Sequence, residues 1–141
     1  MFQGTSLLTL DAKGRMTIPT RHRDALNEAC SLQVTLTRHP DGCVLLYPRP
    51  VWLERRKALA SLPYSARALQ RIVMGSAVDL SVDAAGRLLI PSELRTLCTL
   101  EKEVALVGMG EHFELWNADR LRQEEEAALA GLSEAAADFH F

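Results

Sequence analysis

Leu10-Asp11-Ala12-Lys13-Gly14-Arg15-Met16-Thr17-Ile18-Pro19-Thr20 returns later in the chain as Val82-Asp83-Ala84-Ala85-Gly86-Arg87-Leu88-Leu89-Ile90-Pro91-Ser92. Asp, Ala, Gly, Arg, Ile and Pro coincide in register, and Leu/Val, Met/Leu and Thr/Ser are exchanges of kind. The parallel continues outward. Arg21, Arg23 and Leu26 follow the first copy, and Glu93, Leu94 and Arg95 follow the second. Further on, Cys43-Val44-Leu45-Leu46-Tyr47-Pro48 matches His112-Phe113-Glu114-Leu115-Trp116-Asn117, each closing an apolar strand pattern on an aromatic. Internal repetition of this kind decides architecture before any local reading does. The chain is two related units of about 45 residues.

Each unit reads alike. Thr5–Leu10 is β-prone and stops at Asp11–Gly14, where Asp hydrogen-bonds its own backbone and Gly supplies a positive φ, so a hairpin or bulged corner is expected. Arg15–Ile18 returns as a strand, and Pro19 opens a helix to about Cys30, since a first helical residue has no use for its N–H. Gln33–Thr37 and Val44–Tyr47 form a hairpin across Pro40-Asp41-Gly42. The second copy predicts strands at Ala77–Val82 and Arg87–Ile90, a helix from Pro91, and a hairpin of Glu103–Val107 and His112–Trp116. Between the copies, Val51–Ser61 and Ser65–Gly75 are helical, broken by Leu62-Pro63. The second of these places Ala66, Leu69, Ile72 and Val73 on one face, with Arg67, Gln70 and Arg71 opposite. A last helix begins at Asn117 and leads to an aromatic tail, Phe139-His140-Phe141. The expected organisation is a first unit over 5–50, linker helices over 51–76, a second unit over 77–120, and a C-terminal helix and tail over 121–141. A unit of this size is close to the limit at which a hydrophobic core suffices. The two should therefore fuse into one β-rich α+β body with pseudo-two-fold symmetry.

Composition excludes several classes. The chain has 141 residues, 48% hydrophobic and 24% charged, which is ordinary for a globular protein. No apolar run approaches the ~18 residues of a membrane span. Met1-Phe2-Gln3-Gly4 lacks the basic and apolar regions of a secretion signal. Cys30, Cys43 and Cys98 form an odd set without a C-x-x-C pair, which fits reduced thiols in a cytoplasm. The charge is unevenly placed. Residues 1–76 hold 11 Lys/Arg against 5 Asp/Glu, and residues 77–141 hold 5 against 13, so the halves carry +6 and −8. A basic half can meet phosphate while an acidic half is repelled by it.

The doubled D-x-x-x-R corner, Asp11…Arg15 and Asp83…Arg87, each followed by Ile-Pro and a helix, resembles the paired swapped-hairpin units of the SpoVT/AbrB superfamily. The order of elements, the helical link and the start Phe2-Gln3-Gly4 are similar to the MraZ family of bacterial transcriptional regulators, from Phe2 to about Leu121. The resemblance implies two AbrB-like swapped-hairpin units in one β-barrel-like body with flanking helices. It also implies a DNA-binding repressor of the division and cell-wall gene cluster that includes its own gene. Such a protein binds short G-rich direct repeats in double-stranded promoter DNA as a ring of subunits, in the cytoplasm and on the nucleoid. By position, Arg15 and Arg87 are the motif arginines and Asp11 and Asp83 their acidic partners. Lys13 gives way to Ala85 in the second copy, a departure that argues against equal roles for the two corners.

Chemistry supports this reading for Arg15. An arginine at a tight corner projects from a stiff two-stranded ribbon, and such a ribbon fits the major groove. Its guanidinium reads guanine O6 and N7 through two parallel N–H bonds, which lysine cannot copy. Lys13, Arg21 and Arg23 are then phosphate contacts that fix register. The structural alternative is an Asp–Arg ion pair that pins the corner. It is the stronger reading at Arg87, where Asp79 and Asp83 would hold the guanidinium; both roles coexist if Asp11 orients Arg15. A head-to-tail contact of basic first half with acidic second half would close a ring. The rival function is an antitoxin-like module whose acidic C-terminal helix covers a protein partner, with DNA binding secondary. His39, Asp41 and Cys43 lack the paired spacing of a structural zinc site. Cys30 and Cys98 read as core filling, and Trp52, Trp116 and Tyr47 as packing residues of the body or an interface. No nucleophile elbow or phosphate-binding loop is present, so neither an enzyme nor a cofactor is expected.

Overall fold

The computed structural model describes all 141 residues. In chain order the first half holds β1 (Thr5–Thr9), β2 (Arg15–Thr17), α1 (Thr20–Cys30), β3 (Gln33–Arg38) and β4 (Val44–Pro48). Helix α2 (Arg49–Ala60), a short 3-10 turn at Tyr64–Ala66 and α3 (Arg67–Gly75) follow. The second half repeats the series as β5 (Val78–Ser81), β6 (Arg87–Leu89), α4 (Ser92–Leu97), β7 (Glu103–Gly108) and β8 (Phe113–Asn117), then α5 (Ala118–Leu129) and α6 (Ser133–Ala137). Pro19 and Pro91 stand immediately before α1 and α4 as their N-caps. Asn117 caps α5, its side-chain oxygen accepting from the N–H groups of Asp119 and Arg120.

Six strands form an antiparallel sheet in the order β1-β7-β8-β4-β3-β5, and β2 pairs with β6 as a separate ribbon. Exchanging the halves maps this order onto its own reverse, so the pseudo-two-fold axis runs through the β4–β8 seam. The α+β class and the paired units hold, but the barrel-like body does not. Strands β1 and β5 each pair on one side only and stand at opposite ends of the sheet. The turns after them carry the chain out of the sheet before the ends can meet, and the sheet stays open.

The Asp corners also join different partners from those of a hairpin. Strand β1 pairs with β7, setting Leu7 opposite Ala105, whereas β2 pairs with β6, setting Met16 opposite Leu88. Each half therefore lends strands to the other. Burial explains the exchange. Met16, Ile18, Leu88 and Ile90 are all almost wholly buried and can share one core only if both short strands lie over it together. Each such side chain contributes roughly 1.5–3 kcal/mol on burial.

That core lies between one sheet face and the ribbon with α1 and α4. Strand β4 is apolar at every position because it is buried on both sides. Val44 and Leu46 face the main core, while Cys43, Leu45 and Tyr47 face a second cluster with Trp52 and Trp116 under α2 and α5. Cys98 sits in the main core and Cys30 packs against it, and all three thiols are free. On α3 the expected facing is wrong at Gln70. Its amide is buried and donates to Leu59 O, in the last turn of α2, at 2.9 Å and to Leu62 O, in the link after that helix, at 3.4 Å. Leu69, expected to pack, is left exposed. No helix is long and apolar enough to cross a membrane.

Candidate nucleic-acid interface

The β2–β6 ribbon buries alternate residues and turns the others outward, as a two-residue period requires. Arg15 lies opposite Leu89 and Thr17 opposite Arg87, so these four side chains share the outer face. The two arginines are diagonal neighbours, about 7–8 Å apart by backbone geometry. Exchange of strands between the repeats thus brings both corners onto one surface.

Each corner is built by its aspartate. Asp11 Oδ1 accepts the backbone N–H groups of Lys13 and Arg15, both at 2.9 Å, and Oδ2 accepts Arg15 Nε at 2.8 Å. Asp83 repeats this with Ala85 and Arg87 at 2.9 and 2.8 Å, and with Arg87 Nε at 3.1 Å. The backbone N–H of Arg15 does most to hold the Asp11 carboxyl below its ordinary range, with the guanidinium and the Lys13 N–H adding to it. Arg87 does the same for Asp83. Both carboxylates are therefore ionised at neutral pH. Because the aspartate takes the Nε edge, the terminal Nη1 and Nη2 groups of both arginines keep their donors free of protein partners. The ion pair and an outward fork are compatible at each corner.

Asp79, expected to help hold Arg87, instead accepts from Thr35 Oγ1 at 2.7 Å and pairs with Arg49 at 3.4 Å. The Arg87 side chain is 41% exposed against 29% for Arg15. Burial thus gives no ground for treating Arg87 as the more structural of the two.

The glycines of the corners are required. Gly14 and Gly86 have φ of +84° and +79°, a region that favours glycine. Their carbonyls accept across the ribbon, Gly14 O from Ile90 N at 2.9 Å and Gly86 O from Ile18 N at 2.8 Å. Each also lies beneath an arginine of the other repeat: a Cβ on Gly86 would stand 2.2 Å from Arg23 Cζ, and one on Gly14 would stand 2.5 Å from Arg95 Cζ.

Arg23 and Arg95 are thus clamps between repeats. Arg23 Nη2 donates to Ile18 O at 3.1 Å and Arg95 Nε to Ile90 O at 3.0 Å. Arg95 enters the sequence pattern only as part of the repeat, and its one signal as a clamp is its spacing: each clamp stands eight residues after its motif arginine. Arg23, half-buried, has part of its donor set engaged in this way. Arg21 is exposed and reaches Ser6 Oγ at 3.4 Å, and Lys13 is exposed on the first turn. Elsewhere, His39 and Asp41 stay at the β3–β4 turn while Cys43 points into the second cluster, where burial pushes its thiol well up. These three side chains do not converge.

A ribbon made by strand exchange between two D-x-x-x-R units defines a tandem swapped-hairpin protein. The family model described as "MraZ protein, putative antitoxin-like" matches twice, over residues 1–74 and 73–139. The transcriptional regulator MraZ of Herminiimonas arsenicoxydans is 57% identical, that of Janthinobacterium sp. (strain Marseille) 55%, and that of Bordetella pertussis 54%, each with the whole of both chains covered. The chain belongs to the MraZ family of transcriptional regulators, which are not enzymes.

Proposed function

We propose that the chain is a sequence-specific DNA-binding repressor that acts at the promoter of the division and cell-wall cluster containing its own gene. What supports this most is the outer face of the ribbon, where two guanidinium groups are steadied through Nε and keep their terminal amino groups free. That is the arrangement a guanine edge needs for bidentate reading, and G-rich direct repeats supply such edges. Lys13, Arg21 and the exposed part of Arg23 contact phosphate and set register. Asp11 and Asp83 act through the arginines they orient.

One ribbon spans a single groove segment and binds weakly alone. Subunits joined in a ring present ribbons to successive major grooves about one helical turn, roughly 34–36 Å, apart. Linkage of this kind raises avidity by roughly 10²–10⁴ without new contacts. The bound ring then blocks RNA polymerase, in the cytoplasm and on the nucleoid. A gel shift on the DNA upstream of its own gene tests the reading: the wild-type chain should form a complex that scrambled DNA does not compete away. Arg15→Ala should lose this preference, and its retention would remove the assignment.

A further inference from the structure

Each repeat ends its last strand on an aromatic ring, and the polar tip of that ring is treated differently in the two halves. Leu45 and Tyr47 of β4 stand where β8 has Glu114 and Trp116. In the second half the tip is satisfied within the chain: Trp116 Nε1 donates to Glu114 Oε1 at 2.9 Å, and the Arg120 guanidinium lies 6.0 Å over the ring. In the first half the residue in the place of Glu114 is Leu45, which has nothing to offer. Tyr47 is only 7% exposed, yet no group of the chain hydrogen-bonds its hydroxyl. The ring is also held from swinging out to water, because it stacks on His112 at 5.0 Å and leans on Trp52 at 5.7 Å. A tyrosine buried to this extent ordinarily has a partner for its O–H.

What Tyr47 lines is a cleft of about 350 Å³ between the sheet, α2 and α3. Leu45, Trp52, Leu59 and Val73 line it as well, and Leu69, partly exposed, stands on its α3 side. The second half has no such cleft roof, since α3 packs over β3 whereas α6 is exposed throughout. The volume falls at the small end of the range of ~300–1,000 Å³ found for ligand sites, and an apolar lining with one placed polar group is their usual chemistry. Burial does most to push the Tyr47 phenol up, so it stays protonated and donates. The neighbouring charges do not favour an anion. Arg55 lines the cleft, but its guanidinium is already paired with Glu111 at 2.7 Å, and Glu114 opposes its effect on the phenol. We infer that this cleft binds a small apolar molecule carrying one neutral carbonyl, with Tyr47 Oη donating to the carbonyl oxygen and the hydrocarbon lying on Leu45, Trp52, Leu59 and Val73. A carboxylate is the poorer head, because it would lose water beside Glu111 and Glu114 without a free cation in return. The cleft belongs to the sheet face opposite the β2–β6 ribbon, so an occupant leaves the ribbon free and the inference stands apart from the DNA reading.

Titration calorimetry of the full-length chain with 2-nonanone tests it. Wild type should bind saturably, one ketone per chain. Tyr47→Phe should weaken binding roughly 3–10-fold, the worth of one hydrogen bond. Nonanoate, which has a chain of equal length and a charged head, should bind roughly tenfold or more weakly than the ketone. Ala58→Trp, at an exposed position of α2 that lines the cleft, should fill it and abolish binding. Leu69→Arg sets a charge on the α3 side and should do the same, and it decides the matter if Ala58→Trp lowers the melting temperature. No saturable binding to wild type, a Tyr47→Phe chain that binds as wild type does, nonanoate held as tightly as the ketone, or binding that survives both Ala58→Trp and Leu69→Arg would each overturn the site.

Discussion

At the first corner, Asp11 gathers the N–H groups of Lys13 and Arg15, and at the second, Asp83 gathers those of Ala85 and Arg87 in the same pattern. The backbones, the glycine conformations and the clamping arginines match pair by pair. What differs is the chemistry attached. The first corner adds a lysine and sets Thr17 on the ribbon face, while the second has alanine and sets Leu89 there. Identical scaffolds thus carry unequal electrostatics. Geometry determines where the guanidinium groups stand, and on the proposed reading the flanking residues would determine how strongly each corner is drawn to phosphate.

The sharpest way to break the comparison is to remove each fork in turn. Arg15→Ala should weaken binding to a single repeat by roughly 1–3 kcal/mol and relax base preference, with the loss compounding over several linked sites. Arg87→Ala should cost less than Arg15→Ala. Equal losses in a fluorescence-anisotropy titration would show the corners to be functionally alike. Next in size are the glycines. Gly14→Ala and Gly86→Ala each impose a left-handed alanine, about 1–2 kcal/mol of instability, and push a clamping arginine aside. Thermal melts should show similar losses for the two, since the clamps are symmetric.

A smaller effect sharpens the electrostatic difference. Lys13→Ala should flatten the dependence of log K on log salt by about one unit on every sequence, and Ala85→Lys should steepen it by a similar amount. The smallest concerns His22, buried between Phe2 and Phe113 where the second repeat has Leu94. Burial, then the Arg21 charge, lowers its proton affinity below the ordinary histidine value. The unfolded chain therefore takes up this proton first as pH falls, so His22 favours folding above its unfolded pKa near 6.5 and loses that contribution on acidification. His22→Leu should flatten the decline in melting temperature between pH 7 and pH 5.

Much of this was legible in the sequence because repetition exposes it. The strand patterns, the Asp–Gly turns, the Ile-Pro helix starts and both motif arginines are readable residue by residue. Partner choice was not. Asp11–Gly14 turns the chain equally well whether the next strand returns to β1 or crosses to β6, and alternation at Met16 and Ile18 marks an inward face without saying whose core it meets. Barrel closure failed for the same reason, since edge status at β1 and β5 depends on non-local pairing. Gln70 is solvent-facing by helical period, yet the carbonyls it reaches lie at the end of α2 and in the link after it. Arg95 was visible in principle: its spacing from Arg87 equals that of Arg23 from Arg15.

The exchange of strands has a consequence for synthesis. While the N-terminal half leaves the ribosome, β1 has no β7, β3 lacks β5, and Met16 and Ile18 have no ribbon to seat them. The nascent half must wait, with open edges, for residues nearly a hundred positions downstream, so the sheet and the ribbon can close only late in translation. Those unpaired edges are the stage at which two nascent chains on neighbouring ribosomes would entangle, each lending a strand to the wrong molecule.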